Sequence, residues 1–282
     1  MPVLLEHGCS VLSVVRSAAD PPPSSLPRLE HHLDDGDQAA LVTRVAQFEP
    51  DSCVHLATAW IAKPGPAEFS RMVDSNLAFG IRVVNAFEQA GGRGFVNARS
   101  YMQNRRSTTT RAMNEYAALK NSFEDYVDWH ASRGGLRVLH LELFDTFLPR
   151  DDRRTVWQRF IDAASSTAPF PTTTGDQLVA PLHVNDAARG FAQALHCLST
   201  QAGQRSEYHL AGDEVVRLRD ALSLLAEISG RGTEMRWGEV PYSGTELFDW
   251  VPTGPRLPGW SPQWTLREGL EDIWTQREVR SA

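Results

Sequence analysis

The sequence predicts an α/β fold: a doubly wound parallel sheet followed by a smaller C-terminal lobe. Three observations predict it. Short apolar runs alternate with helical patterns through the first half of the chain, as in βα units. Two of the helical patterns stop at double glycines, Gly91-Gly92 and Gly134-Gly135, directly before apolar runs. Past Phe144 the texture changes to a charge run, Asp151-Asp152-Arg153-Arg154, and a Pro/Thr-rich stretch around 169–174.

Leu4-Leu5-Glu6-His7-Gly8 reads as a helix end and 11–15 as a strand, after which Pro21-Pro22-Pro23 stiffens a loop. A weak strand at 29–33 and a short amphipathic helix at 38–48 precede a buried strand at 53–57. Val73, Leu77, Ile81 and Val84 have helical spacing and place one helix over 68–89. A strand at 94–98, a long helix at 111–132 and a strand at 136–143 complete the alternation. In the lobe, Trp237, Trp250, Trp260, Trp264 and Trp274 read first as an apolar core and second as a ligand wall.

Composition narrows the function. A chain of 282 residues, 41% of them hydrophobic, buries a substantial core. A net charge of −7 argues against nucleic acid held by a general basic field. No run approaches the roughly 20 apolar residues of a membrane span. Cys9, Cys53 and Cys197 are far apart and odd in number, and the first residues lack a secretion pattern. The expectation is a cytoplasmic protein whose partner is a small molecule, neither nucleic acid nor membrane. The histidines offer no metal-ligand spacing, and no phosphate loop or serine-hydrolase elbow is present.

The strongest chemical signal is Tyr116-Ala-Ala-Leu-Lys120, in a chain whose only lysines are Lys63 and Lys120. A spacing of four puts both side chains on one helical face. An ammonium beside a phenol stabilises the phenolate and makes the tyrosine an acid/base near neutrality. Ser100 follows the strand at 94–98, at the carboxyl edge where open α/β sheets bind ligands, and its hydroxyl can steady an oxyanion.

With Ser100, Tyr116 and Lys120 in this order, the chain resembles the extended short-chain dehydrogenase/reductase family over nearly its whole length. His55-Leu56-Ala57-Thr58 is similar to that family's turn beneath the nicotinamide ribose, and Asn76 to its active-site asparagine. The resemblance implies a Rossmann-like NAD(P)-binding domain over 1–145. It implies a substrate-binding lobe over 146–282, with elements around 178–200 returning to the first domain. Ser100, Tyr116 and Lys120 become the catalytic residues. Cofactor contacts fall on Arg16, Ser17, Asp34, Asp35, Ala57, Thr58, Asn76, Tyr116, Lys120 and Phe144. Substrate contacts fall on Ser100, Tyr101, Met102, Gln103, Thr146 and Val179. Many relatives pair through helices around 68–90 and 112–132, which implies a homodimer.

A narrower resemblance, to nucleotide-activated 4-keto-6-deoxysugar reductases of the CDP-abequose synthase kind, rests on four segments. They are 97–103, 143–147, Gly175-Asp176-Gln177 before His183-Val184-Asn185-Asp186, and Trp237-Gly238 through Pro241-Tyr242. Three departures qualify it. Gly8 is isolated where the family has a strand and a Gly-x-x-Gly-x-x-Gly turn. The absent strand belongs in mid-sheet, so two strand edges lose their partners, and the expectation is that about 15 residues are missing upstream. Arg16 and Ser17 follow the second strand where NAD enzymes carry an acid, so NADPH is expected over NADH. Leu178-Val179-Ala180-Pro181 lacks the arginine that meets a sugar-nucleotide diphosphate.

The expected activity is therefore an NADPH-dependent ketoreductase of natural-product biosynthesis. Its substrate is either a nucleotide-linked 4-keto-6-deoxysugar or an aromatic polyketide ketone. The alternatives are a nucleotide-sugar epimerase or dehydratase, and a non-catalytic NADP-binding sensor or scaffold on the same fold.

Overall fold

The computed structural model describes residues 2–16, 26–61, 64–104, 112–149, 155–166, 168–200, 203–244, 246, 248 and 252–281, the side chains of 278–281 excepted. The chain forms two compact units. The first comprises residues 1–142, 188–208 and 257–259, and the second comprises 143–187, 209–256 and 260–282. Chain order begins α1 (Pro2–Glu6), β1 (Val11–Val15), β2 (Leu29–Leu33), α2 (Gln38–Phe48) and β3 (Ser52–His55). It continues α3 (Pro66–Val73), α4 (Phe79–Gln89), β4 (Gly94–Ser100), α5 (Glu115–Ser132) and β5 (Arg137–Leu143). Next come β6 (Thr146–Phe147), α6 (Val156–Ser166), β7 (Phe170–Thr172), β8 (Leu178–Val179), β9 (Leu182–His183) and α7 (Val184–Thr200). The last elements are β10 (Arg205–Leu210), β11 (Val216–Arg217), α8 (Leu218–Ser229), β12 (Met235–Trp237) and α9 (Leu266–Ser281). Among the described residues no helix is long and apolar enough to cross a membrane.

The architecture is the α/β, Rossmann-like one, with parallel strand pairs β1–β2 and β3–β4. The first unit carries two separate sheets, β1-β2 and β10-β5-β4-β3. Both rest on one helix layer: Leu12 and Val14 of β1 and Cys53 of β3 pack against Leu41, Val45, Phe79, Val83 and Ala86 of α2 and α4. Yet among the described residues β1 pairs with β2 alone and β3 with β4 alone. Val11 N–H donates to Arg28 O and Val15 O accepts from Asp34 N–H. Alternation therefore turns the backbone groups of Leu12 and Val14 toward the open edge. The same face of the four-stranded sheet is covered further on by α4 and α5, where Val84, Phe87, Phe123 and Val127 enclose Phe95 and Val138, and Cys53 packs against both clusters.

Several boundaries differ from expectation for local reasons. The long helix opens at Glu115 rather than 111, because the Asn114 side chain accepts from Ala117 N–H at 2.9 Å and caps it. The strand expected at 94–98 runs to Ser100, so that serine is the last strand residue. The strand expected over 53–57 stops at His55, and Ala59 bonds to Asn76 instead. The helix expected over 68–89 is interrupted by a π-helical turn, Asp74–Ala78. The α4–α5 crossing is close at Gly80, where a Cβ would stand 2.4 Å from Phe123 Cε2.

The second unit is built around α6, α8 and α9, whose Trp157, Phe160, Ile161, Leu222, Leu270 and Trp274 form its core with Phe147 and Phe170. Trp237 packs against that core, and Trp264 lies over His183 with ring centroids 4.4 Å apart. The Trp260 indole donates to Asp186 O at 3.1 Å. These four serve packing, and Trp250 lies outside the described residues.

Candidate active site

Tyr116 and Lys120 lie one turn apart on α5, both buried, with Lys120 Nζ 5.9 Å from the centre of the Tyr116 ring. Above them runs the segment after β3. Thr58 Oγ1 donates to Asn76 Oδ1 at 3.2 Å and stands 3.4 Å from Tyr116 Oη. Asn76 holds that segment in place: its Oδ1 accepts from Ala59 N–H at 2.7 Å and its Nδ2 donates to Ala59 O at 2.8 Å. The π-helical turn that carries Asn76 is what those bonds sustain, since a wider turn is otherwise a poor one. Ala57 packs on the α2–α4 layer. Buried His55, at the end of β3, is drawn down to about 3 by burial first, then by the Lys120 and Arg16 charges, and is neutral.

Ser100 opens a short 3-10 turn, Tyr101–Gln103. Its hydroxyl accepts from Met102 N–H at 3.3 Å, and its own N–H donates to Gln103 Oε1 at 2.9 Å. Met102 packs against Tyr116 and Met72, and its carbonyl accepts from Met113 N–H at 3.0 Å, so the turn adjoins the start of α5. Tyr101 is half-buried in the same turn. The structure thus brings Thr58, Asn76, Met102, Tyr116 and Lys120 together.

Just past the carboxyl end of β2, the Asp34 side chain is buried. Its Oδ2 accepts from Arg82 at 2.7 Å, while its Oδ1 has no partner among the described residues. Asp35 is exposed and accepts from Asp37 N–H at 3.0 Å, a turn contact. The Arg16 guanidinium stands 5.5 Å from the centre of the Phe79 ring. Its pKa is lowered, by burial first; Arg71 and Arg82 add to the shift while Asp74 and Asp34 oppose it. Three guanidinium groups thus face two carboxylates. Ser17, Lys63, Arg153 and Arg154 lie outside the described residues.

The remaining expected contacts belong to the second unit. Phe144 is buried, its N–H donating to Leu210 O at 3.3 Å and its ring edge-on to His209. Thr146 Oγ1 donates to Phe144 O at 2.9 Å. Val179 is half-buried in β8, opposite Val216 of β11, and packs on the lobe core.

Sequence reasoning passed over a charged set beneath the sheet. Glu124, Asp128 and His140 offer ligand atoms within 4.8 Å of one another, a grouping that could hold a cation. Arg205 already fills that role, with Nε 3.0 and 2.9 Å from the two Asp128 oxygens and Nη2 3.4 Å from Glu124. His140 is further held between Asp128 and Asn97. The readable signal was the spacing of Glu124 and Asp128, four and eight residues beyond Lys120.

The sequence profile of the NAD dependent epimerase/dehydratase family matches residues 1–208. No curated protein sequence matches the chain. Among solved structures, UDP-glucose 4-epimerase from Thermotoga maritima with UDP-glucose is similar over 99% of this chain and 94% of its own, at 17% identity and a TM-score of 0.82. UDP-glucuronic acid 4-epimerase from Bacillus cereus, in complex with UDP-glucuronic acid and NAD, is similar over 99% and 94%, at 17% identity and a TM-score of 0.81. MoeE5 in complex with UDP-glucuronic acid and NAD is similar over 100% and 94%, at 22% identity and a TM-score of 0.80. At these identities the likeness establishes the fold. None of the three singles out the 4-keto-6-deoxysugar reductase branch.

Proposed function

The chain belongs to the NAD dependent epimerase/dehydratase family, and from that premise we propose that it epimerises or dehydrates a nucleotide-linked sugar. The observation that carries the proposal is the Tyr116 phenol, held beside Thr58 and Asn76 with the Lys120 ammonium over its ring. Tyr116 takes the proton from a sugar hydroxyl and returns it, Lys120 stabilises the phenolate, and Ser100 orients the sugar oxygen. A nicotinamide dinucleotide, when bound, supplies the hydride acceptor and donor.

The first unit's residues fit such a cofactor at two places. The unpaired buried Asp34 Oδ1 suits an exocyclic adenine amine, and Tyr116 with Lys120 suits the nicotinamide ribose. Before β1 the chain supplies α1 and an isolated Gly8. Similar structures that bind UDP-sugars and NAD support both the substrate class and the cofactor. A homodimer through α4 and α5 belongs to the same proposal.

The NADPH-dependent ketoreductase expected from the sequence is the second reading. One observation favours it: the positive excess of Arg16, Arg71 and Arg82 over Asp34 and Asp74 suits a ribose 2′-phosphate. The test incubates the protein with NAD⁺ and UDP-glucose or UDP-glucuronic acid, and separately with NADPH and a ketone panel. The expected product is the C4 epimer or a dehydrated keto sugar. Tyr116→Phe lowers that turnover about a hundredfold or more while nucleotide binding persists. Undiminished turnover in that variant overturns the proposal, and turnover with NADPH and ketones alone selects the second reading.

A further inference from the structure

Arg99, next to Ser100, is 2% exposed in a strand whose residues before Ser100 are all buried. A guanidinium is retained in such a place only with its charge paired. Its Nε is ion-paired to Glu124 Oε2 at 2.9 Å without making a hydrogen bond, it is ion-paired through Nη1 to Glu207, and its Nη2 donates to Asn104 Oδ1 at 3.1 Å. Glu124 Oε2 also accepts from Gln103 Nε2 at 2.9 Å, and Gln103 Oε1 accepts from Ser100 N–H at 2.9 Å. The bonds on both sides of the serine thus converge on one carboxylate. Tyr116, Lys120 and Glu124 are spaced by four on α5, so that carboxylate shares a helical face with the phenol.

We propose that Glu124 and Gln103, with Arg99, are positioning residues that fix the Ser100 turn in register with Tyr116. This rests on the roles given to Ser100 and Tyr116 above. The helix is rigid and the links to Glu124 are charge-assisted, so the serine turn cannot shift against the phenol without breaking them. A charged set that only filled space would be replaced by apolar side chains at no loss. Here its links end on the backbone N–H of Ser100 and on Asn104, the two ends of one turn.

Two variants test this: Glu124→Gln, which removes the charge, and Gln103→Leu, which cuts the link while leaving the Arg99–Glu124 pair. With NAD⁺ and UDP-glucuronic acid or UDP-glucose, kcat is expected to fall about a hundredfold in Gln103→Leu, with KM within about threefold. Ser100→Ala combined with Gln103→Leu is expected to be no slower than Ser100→Ala alone, because both act through one hydroxyl. Amide exchange over 100–104 is expected to rise in both variants, while that of β5 stays low. Unchanged kcat in Gln103→Leu, or losses that multiply in the double variant, overturns the proposal. If the unsubstituted protein turns over none of these sugars, the functional reading fails. The exchange measurement then decides the positioning alone: equal uptake over 100–104 in wild type and Gln103→Leu overturns it.

Discussion

Replacing Asn76 by Ala removes three hydrogen bonds at once. Ala59 N–H loses its acceptor at 2.7 Å, Ala59 O loses its donor at 2.8 Å, and Thr58 Oγ1 loses its acceptor at 3.2 Å. Asn76 is 3% exposed and Ala59 7%, so water reaches the vacated groups poorly. A buried backbone group left unpaired costs about 1–3 kcal/mol. Two of them, partly relieved by local collapse, give a loss of about 2–4 kcal/mol. At about 2–4 °C per kcal/mol for a domain of this size, the melting temperature should drop by about 4–16 °C. Urea unfolding of the two proteins measures the loss, and the exchange rate of the Ala59 amide localises it. Asn76→Asp, which keeps the acceptor but turns an oxygen toward Ala59 O, is expected to lose at least as much. A change below about 0.5 kcal/mol, with the Ala59 amide still protected, would refute the view that Asn76 anchors the segment over Tyr116.

Other consequences are equally direct. His55 is held neutral in the fold, down to about 3 from an ordinary 6.5; its unfolded form gains a proton first, so this stability is complete above 6.5 and lost as pH falls toward 3. Urea unfolding at pH 7 and 5.5 should show about 1.3 kcal/mol of this loss in wild type and none of it in His55→Asn. Gly80→Ala puts a Cβ 2.4 Å from Phe123, and should cost about 1–3 kcal/mol despite better helix propensity, with Phe123→Leu restoring most of it in the double variant. Amides of Leu12 and Val14, on the edge of β1 that pairs with no strand among the described residues, should exchange far faster than that of Val96 in the middle of β4, as heteronuclear NMR would show. Arg16→Ala should weaken NADP⁺ binding relative to NAD⁺ if the arginine cluster reads a 2′-phosphate; an unchanged ratio in calorimetric titrations counts against that role.

Strands 11–15 and 29–33 and the helix at 38–48 were legible to the residue, because apolar spacing and punctuation agree there. Asp37 caps that helix with bonds to Ala39 and Ala40 N–H, and Glu49 closes it in the left-handed region. The π-helical turn was not legible, since Val73, Leu77, Ile81 and Val84 keep helical spacing through it. Its cause is a pair of bonds to Ala59, seventeen residues away in sequence. The Asn114 cap was legible and was passed over in favour of an earlier start. In the site, Tyr116 and Lys120 declared themselves by spacing, and Thr58 and Asn76 by resemblance. Arg99, Glu124 and His140 stayed hidden because patterning assigns buried positions to apolar residues, and a buried charge becomes intelligible only beside its partners. The family was within reach of the sequence; the choice among reduction, epimerisation and dehydration was not, since all three use the same phenol and lysine.

The split between β1-β2 and β10-β5-β4-β3 has a mechanical consequence. Among the described residues no backbone ladder crosses the gap, and the two halves are joined by side-chain packing on α2 and α4, Phe79 and Val83 foremost, and by the Asp34–Arg82 ion pair. The β1–β2 half, which bears Arg16 and Asp34, can therefore melt as its own small module while the half bearing Tyr116 stays intact. On the proposed function, grip on the adenosine end of a dinucleotide and proton transfer at the sugar end would then decay at different temperatures.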